Sequence, residues 1–64
     1  MKRLDLVKHL HKEGCTLVRE GASHSVFFNA ITRRVSTVPR HAEINNHLAQ
    51  KICRDLGIKK SLKK

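Results

Sequence analysis

The chain has 64 residues, so we expect one small domain with no room for a second or for a bulky buried cofactor. Lysine and arginine number 14 against 5 acidic residues, and the formal charge of +9 favours an anionic partner, with nucleic acid preferred to a membrane surface. No long apolar run, signal-peptide core or disulfide framework is visible. We therefore expect a cytoplasmic domain with reduced thiols.

The first half of the chain predicts one helix and two short strands. Apolar residues at helical spacing predict a helix over 3–13, which Gly14 ends. A strand is predicted over 15–19 and a second over 24–28. Gly21 lies in the turn between them, where a glycine tolerates a positive φ.

The second half predicts a third strand and a second helix. The strand covers 34–38 and is stopped by Pro39. Glu43 suits the positive end of the helix dipole, and Gly57 is a natural left-handed C-cap. The helix itself is predicted by apolar residues that recur every four positions, namely Ile44, Leu48, Ile52 and Leu56.

This order of elements predicts an α+β fold of two layers, αβββα. Short connections favour a three-stranded antiparallel sheet, with two helices on one face and the other face open to a nucleic acid. Phe27 and Phe28 point to opposite faces of their strand, and parity alone does not decide which one is core. If Phe27 is core, His24 lies on the open face. Residues 1–58 form the predicted domain, and 59–64 form a basic tail.

His24 is the candidate catalytic residue, because an imidazole at a turn-to-strand position can move a proton near neutral pH. It would take the proton from a ribose 2′-hydroxyl of bound RNA. Ser23 is a candidate phosphate ligand, and Glu20 would either orient the ring or lie exposed without such a role. The alternative is a strand-end histidine that only caps a loop. The candidate substrate-binding cations are Arg19, Arg33, Arg34 and Arg40.

Other chemistry is weakly supported. No spacing typical of metal ligands is present, so we predict neither a metal site nor another cofactor. Cys15 and Cys53 fall at apolar positions and are predicted to be core. His41 lies at the predicted helix start, where capping is favoured over RNA contact.

Two motifs resemble those of the HicA family of toxins, also catalogued as YcfA-like mRNA interferases. They are Gly21-x-Ser23-His24 with Phe27, and Val38-Pro39-Arg40-His41-x-Glu43-Ile44. The resemblance implies a fold like that of double-stranded-RNA-binding domains, an endoribonuclease that cleaves mRNA, and a HicB-type antitoxin that covers the active site in a heteromeric complex. It places the catalytic histidine at His24 and the small-residue turn at Gly21 and Ser23. It assigns no second catalytic group.

Three functional hypotheses follow. The leading one is a metal-independent endoribonuclease toxin with His24 as general acid or base. The second is a non-catalytic RNA-binding module that uses the same basic face and does not need the imidazole. The third is a small interaction domain whose charge serves an acidic protein, in which case RNA affinity would lack the usual salt dependence.

Overall fold

A computed structural model describes residues 1–59 of the chain. Its elements follow the predicted order, and their bounds lie close to the predicted ones. They are helix α1 (Arg3–Lys12), strands β1 (Cys15–Glu20), β2 (His24–Asn29) and β3 (Arg34–Pro39), and helix α2 (Asn46–Leu56). The strands form one antiparallel sheet in the order β1-β2-β3. The predicted α+β class and αβββα order are confirmed.

The central strand β2 decides which face of the sheet is covered. Its burial alternates, and the buried positions are Ser25, Phe27 and Asn29. Phe27 is only 2% exposed, so it is the core aromatic, and Phe28 lies on the opposite face. Because successive strand residues alternate, His24 shares the open face with Phe28.

Both helices contribute buried apolar residues to one core with Phe27. The core members from the helices are Leu6, Leu10, Ala49, Ile52, Cys53 and Leu56. The side chains of Cys15 and Cys53 are buried in the core, as predicted. Burial raises the pKa of the Cys15 thiol, and the nearby Cys53 and Glu13 raise it further. This thiol is therefore a poor nucleophile.

The start of α2 differs from the sequence prediction. Asn45 is the N-cap, and its side chain accepts a hydrogen bond of 2.8 Å from the Leu48 amide. Ile44 is buried but precedes the helix. The predicted dipole role of Glu43 is wrong, because α2 begins at Asn46 and Glu43 lies two residues before its N-cap, with its carboxylate 3.4 Å from the N-terminal amine of Met1. His41 is exposed in the loop before the helix and does not cap it.

The end of α2 agrees with the prediction. Gly57 has a φ of 72°, which is the left-handed C-cap conformation. The Ile58 amide donates to the Cys53 carbonyl at 3.0 Å, and the Ile58 side chain packs against the core. Of the predicted tail, only Lys59 belongs to the described residues. Its carbonyl lies 2.9 Å from Nε2 of His9, and the rest of the tail lies outside them.

Candidate active site

His24 is the first residue of β2, and its side chain is exposed on the open face. Within residues 1–59 no hydrogen bond or ion pair engages its ring. Glu20 does not orient it, because the Glu20 carboxylate binds other groups. The imidazole is thus free of internal partners on a strand whose opposite face is fixed by the core.

The backbone around His24 is held from both neighbouring strands. The Gly21 amide donates to the His24 carbonyl at 2.7 Å, which closes the turn between β1 and β2. On the other side His24 is paired with Pro39, and the Arg40 amide donates to the Ser23 carbonyl at 3.2 Å. The catalytic candidate therefore stands at the end of the sheet, where both neighbouring strands still hold its backbone.

Glycine is favoured at position 21 for a reason other than the predicted one. Its φ is not positive; the glycines with positive φ in residues 1–59 are Gly14 and Gly57. A Cβ at position 21 would instead lie 3.2 Å from the His24 carbonyl oxygen. Close approach of two backbones, rather than a left-handed conformation, is what favours glycine here.

A chain of polar side chains lies beneath His24, on the helix side of the sheet. Arg3 donates from Nη2 to Oγ of Ser25 at 2.8 Å, and the Ser25 hydroxyl donates to Oε2 of Glu20 at 3.2 Å. The same carboxylate oxygen lies 3.0 Å from Nη1 of Arg40. We call these four residues, Arg3, Ser25, Glu20 and Arg40, the polar chain.

Sequence reasoning missed Arg3 and Ser25. Ser25 could have been found from the sequence, because it lies two residues before Phe27 in the same strand and so shares its face. If Phe27 is core, the Ser25 hydroxyl is buried and needs hydrogen-bond partners. Arg3 could not have been found in this way, since it lies 22 positions before Ser25 and reaches it only through the docking of α1.

The four candidate arginines fall into two groups. Arg19 is paired with Val26 and shares the open face with His24, and Arg40 follows the cross-strand partner of His24. Arg33 and Arg34 lie at the other end of the sheet, where Arg34 is paired with the last residue of β2. A six-residue strand separates the two groups by about 17 Å.

Apolar side chains continue the open face away from His24. Val26 and Phe28 are half-buried, and Val35, which is paired with Phe28, is 56% exposed. Among residues 1–59 no three His, Cys, Asp or Glu side chains are grouped closely enough to hold a metal ion. No helix in this part of the chain is long and apolar enough to cross a membrane.

Fold and site together define a small, cationic α+β domain in which the ring of His24, without a hydrogen bond or ion pair within residues 1–59, shares an open sheet face with Arg19. Residues 4–58 match the family model described as the HicA toxin of bacterial toxin-antitoxin. The chain belongs to the HicA toxin family, so it is the toxin of a toxin–antitoxin system and has an antitoxin as partner. No match was found among the curated proteins or the solved structures.

Proposed function

We propose that this toxin is an endoribonuclease that cleaves mRNA without a metal or other cofactor, with His24 as general acid or base. The observation that carries the proposal is the exposed, unpartnered imidazole of His24 on the open face of a highly basic domain. A polyanion on this face would be held by cations, and the histidine would need only to move a proton.

The proposed reaction uses the RNA as its own nucleophile. The His24 imidazole takes the proton of a ribose 2′-hydroxyl, and that oxygen attacks the adjacent phosphorus. The bond from phosphorus to the 5′-oxygen breaks, which leaves a 2′,3′-cyclic phosphate and a 5′-hydroxyl. His24 returns a proton to the leaving oxygen, or an arginine or lysine shares this step.

Cations at both ends of the sheet have separate tasks in this proposal. Arg19, which shares the face of His24, stabilises the charge that develops on phosphorus, and the Ser23 hydroxyl binds a phosphate oxygen. Arg40 keeps the turn in place by binding the Glu20 carboxylate and the Gly21 carbonyl, so we assign it this role rather than an RNA contact. Arg33, in the turn at the far end, binds a phosphate away from the cleavage position, whereas Arg34 is paired with the buried Asn29 and so lies on the helix face, away from RNA on the open face.

The test is incubation of purified protein with RNA in excess EDTA, beside a His24→Ala variant. His47→Ala is the matched control, because His47 is also exposed but lies on α2. We expect His24→Ala to lose about 10²- to 10⁴-fold in cleavage rate while it stays folded, since surface substitutions without partners change stability by only about 0.5 kcal/mol. The control should cleave normally.

The product ends separate this proposal from its alternatives. A 2′,3′-cyclic phosphate or 3′-phosphate is expected, whereas 5′-phosphate ends or full inhibition by the chelator would indicate a metal-activated water. If the wild type binds RNA but does not cleave it, and His24→Ala binds equally well, the protein is a non-catalytic RNA-binding module.

We also propose that the antitoxin is of the HicB type and lies across the open face, where it covers His24. Val26, Phe28 and Val35 offer it apolar contacts, and the arginines offer charge that would speed association. Arg19→Glu with Arg33→Glu should slow complex formation and weaken RNA binding together, with Arg54→Glu on α2 as the control. Normal antitoxin binding with lost RNA binding would contradict a shared surface.

A further inference from the structure

We propose that Arg3 is a positioning residue of this active site, which fixes the backbone that carries His24 by binding Ser25 and Pro39. The proposal deepens the assignment of His24 above and rests on it for its consequence in catalysis.

Arg3 contacts both strands that meet at His24. Its Nη2 donates to Oγ of Ser25 at 2.8 Å, and Ser25 directly follows His24 in β2. Its Nε donates to the carbonyl of Pro39, the cross-strand partner of His24, at 3.0 Å. Its own amide donates to the Ala42 carbonyl at 2.8 Å. One residue of α1 thereby joins β2, β3 and the loop that follows β3.

The end of the sheet needs such a contact. Pro39 has no amide hydrogen, and the pairing of β2 with β3 ends at this residue. Beyond this pair the Arg40 amide donates to the Ser23 carbonyl at 3.2 Å, so His24 lies close to the end of the ladder. Terminal positions of this kind open locally more easily than the centre of a sheet. The guanidinium supplies one further bond at the pair that contains His24, to the Pro39 carbonyl, and one at the neighbouring Ser25.

The polar chain also fixes the direction of the Ser25 hydroxyl. Ser25 is fully buried, and its oxygen accepts from Arg3 while its hydrogen is donated to Glu20. Hydrogen bonds to charged groups are shorter and stronger than neutral ones. Loss of the guanidinium would leave the Ser25 hydroxyl with its bond to Glu20 and would remove the side-chain donor from the Pro39 carbonyl, so both strands would be held less firmly.

Arg3 acts through the backbone and not on the substrate. Ser25 lies on the helix face of β2, whereas His24 lies on the open face, so a guanidinium bound to Ser25 is separated from bound RNA by the sheet. The expected consequence is a loss of turnover with little change in RNA affinity, since displacement of a reacting group by about 1 Å costs roughly 10²-fold in rate.

The test compares Arg3→Met with Arg54→Met, which removes a guanidinium from the exposed surface of α2. At a temperature where both variants are folded, Arg3→Met should lower kcat by about 10-fold or more and change KM by less than about 3-fold. Arg54→Met should keep both constants. Ser25→Ala should lower kcat in the same way, and the double variant should fall little further, because both changes remove one network.

A second readout does not depend on cleavage. In ¹⁵N relaxation measurements the order parameter of the His24 amide should fall from about 0.85 towards 0.6 in Arg3→Met and stay unchanged in Arg54→Met. If Arg3→Met does not fold, Ser25→Ala decides the same question.

Each alternative outcome has a definite meaning. A raised KM with normal kcat would make Arg3 an RNA ligand and overturn the proposal. Normal kcat in Arg3→Met and Ser25→Ala, beside an inactive His24→Ala, would overturn the proposal and leave the nuclease assignment intact. If the wild type does not cleave RNA, the nuclease assignment fails, and the order parameter alone supports or overturns the positioning role.

Discussion

Substitution of Gly21 by alanine should separate activity from stability. The new Cβ would lie 3.2 Å from the His24 carbonyl oxygen, a distance that requires a shift of a few tenths of an ångström. That oxygen already accepts a 2.7 Å hydrogen bond from the Gly21 amide, so the strain falls on His24 itself. Because the φ of Gly21 is not positive, alanine also reduces the entropy of the unfolded chain, which stabilises by about 0.4–1 kcal/mol and offsets the contact.

The expected changes in stability and in kcat follow from the close contact and from the lower entropy of the unfolded chain. The net change in the free energy of unfolding should stay within about 1 kcal/mol. A displacement of about a third of an ångström should lower kcat roughly 5-fold, on the scale of 10²-fold per ångström. Gly14→Ala is the matched control: its φ is 92°, and its nearest contact, Ile31 Cδ1, is an ordinary 3.6 Å away. It should lose about 1–2 kcal/mol of stability and keep its kcat.

The assays are urea denaturation for stability and single-turnover RNA cleavage for kcat. The reasoning is refuted if Gly21→Ala loses more stability than Gly14→Ala, or if its kcat equals that of the wild type. Normal cleavage would mean that the turn relaxes away from His24 without moving the imidazole.

Three further predictions concern the core, the charge and the thiol. Phe27→Ala should lose about 3–5 kcal/mol in urea denaturation and Phe28→Ala much less, because only Phe27 fills the core; equal losses would contradict the assigned faces. Replacement of the basic residues Lys59, Lys60, Lys63 and Lys64 by alanine should weaken RNA binding modestly, flatten its salt dependence and leave cleavage intact. Fluorescence anisotropy at several salt concentrations measures this dependence, and an unchanged slope of affinity against salt would exclude phosphate contacts by these lysines. Burial and the nearby Cys53 and Glu13 raise the pKa of Cys15, so the contribution of this thiol to stability is fully present below its unfolded pKa and is lost as the pH rises through its folded pKa. The alkaline decline in the free energy of unfolding should therefore be smaller in Cys15→Ala than in the wild type. An identical decline would contradict this prediction.

The order of the elements and several of their ends were predictable from the sequence, because these features depend on neighbours along the chain. Hydrophobic periods of about four and of two residues distinguish the helices from the strands. Gly57 ends α2 because a left-handed residue completes the local hydrogen bonds of that helix, whatever lies elsewhere. The prominence of His24 beside a glycine turn is likewise a local pattern.

The tertiary structure decided the features that depend on contacts between distant residues. Phe27 rather than Phe28 is core because both helices dock on one face, a choice that alternation within β2 leaves open. α2 begins at Asn46, after the Asn45 cap that is a local signal in the sequence, whereas the segment at Glu43 and Ile44 is held outside the helix by its pairing with Met1 and Lys2. These contacts span more than 40 positions, so no local pattern signals them.

The arrangement of the candidate site also depends on contacts between residues that are distant in the sequence. Register places Arg19 near His24 and Arg34 at the far end of the sheet, although all the candidate arginines appear equivalent in the sequence. Arg3 reaches Pro39 across 36 positions only because α1 packs beside the end of β3. The sequence by itself singled out His24 as the candidate for proton transfer, and only the packing of the helix on the sheet decided which residues contact the backbone beside it.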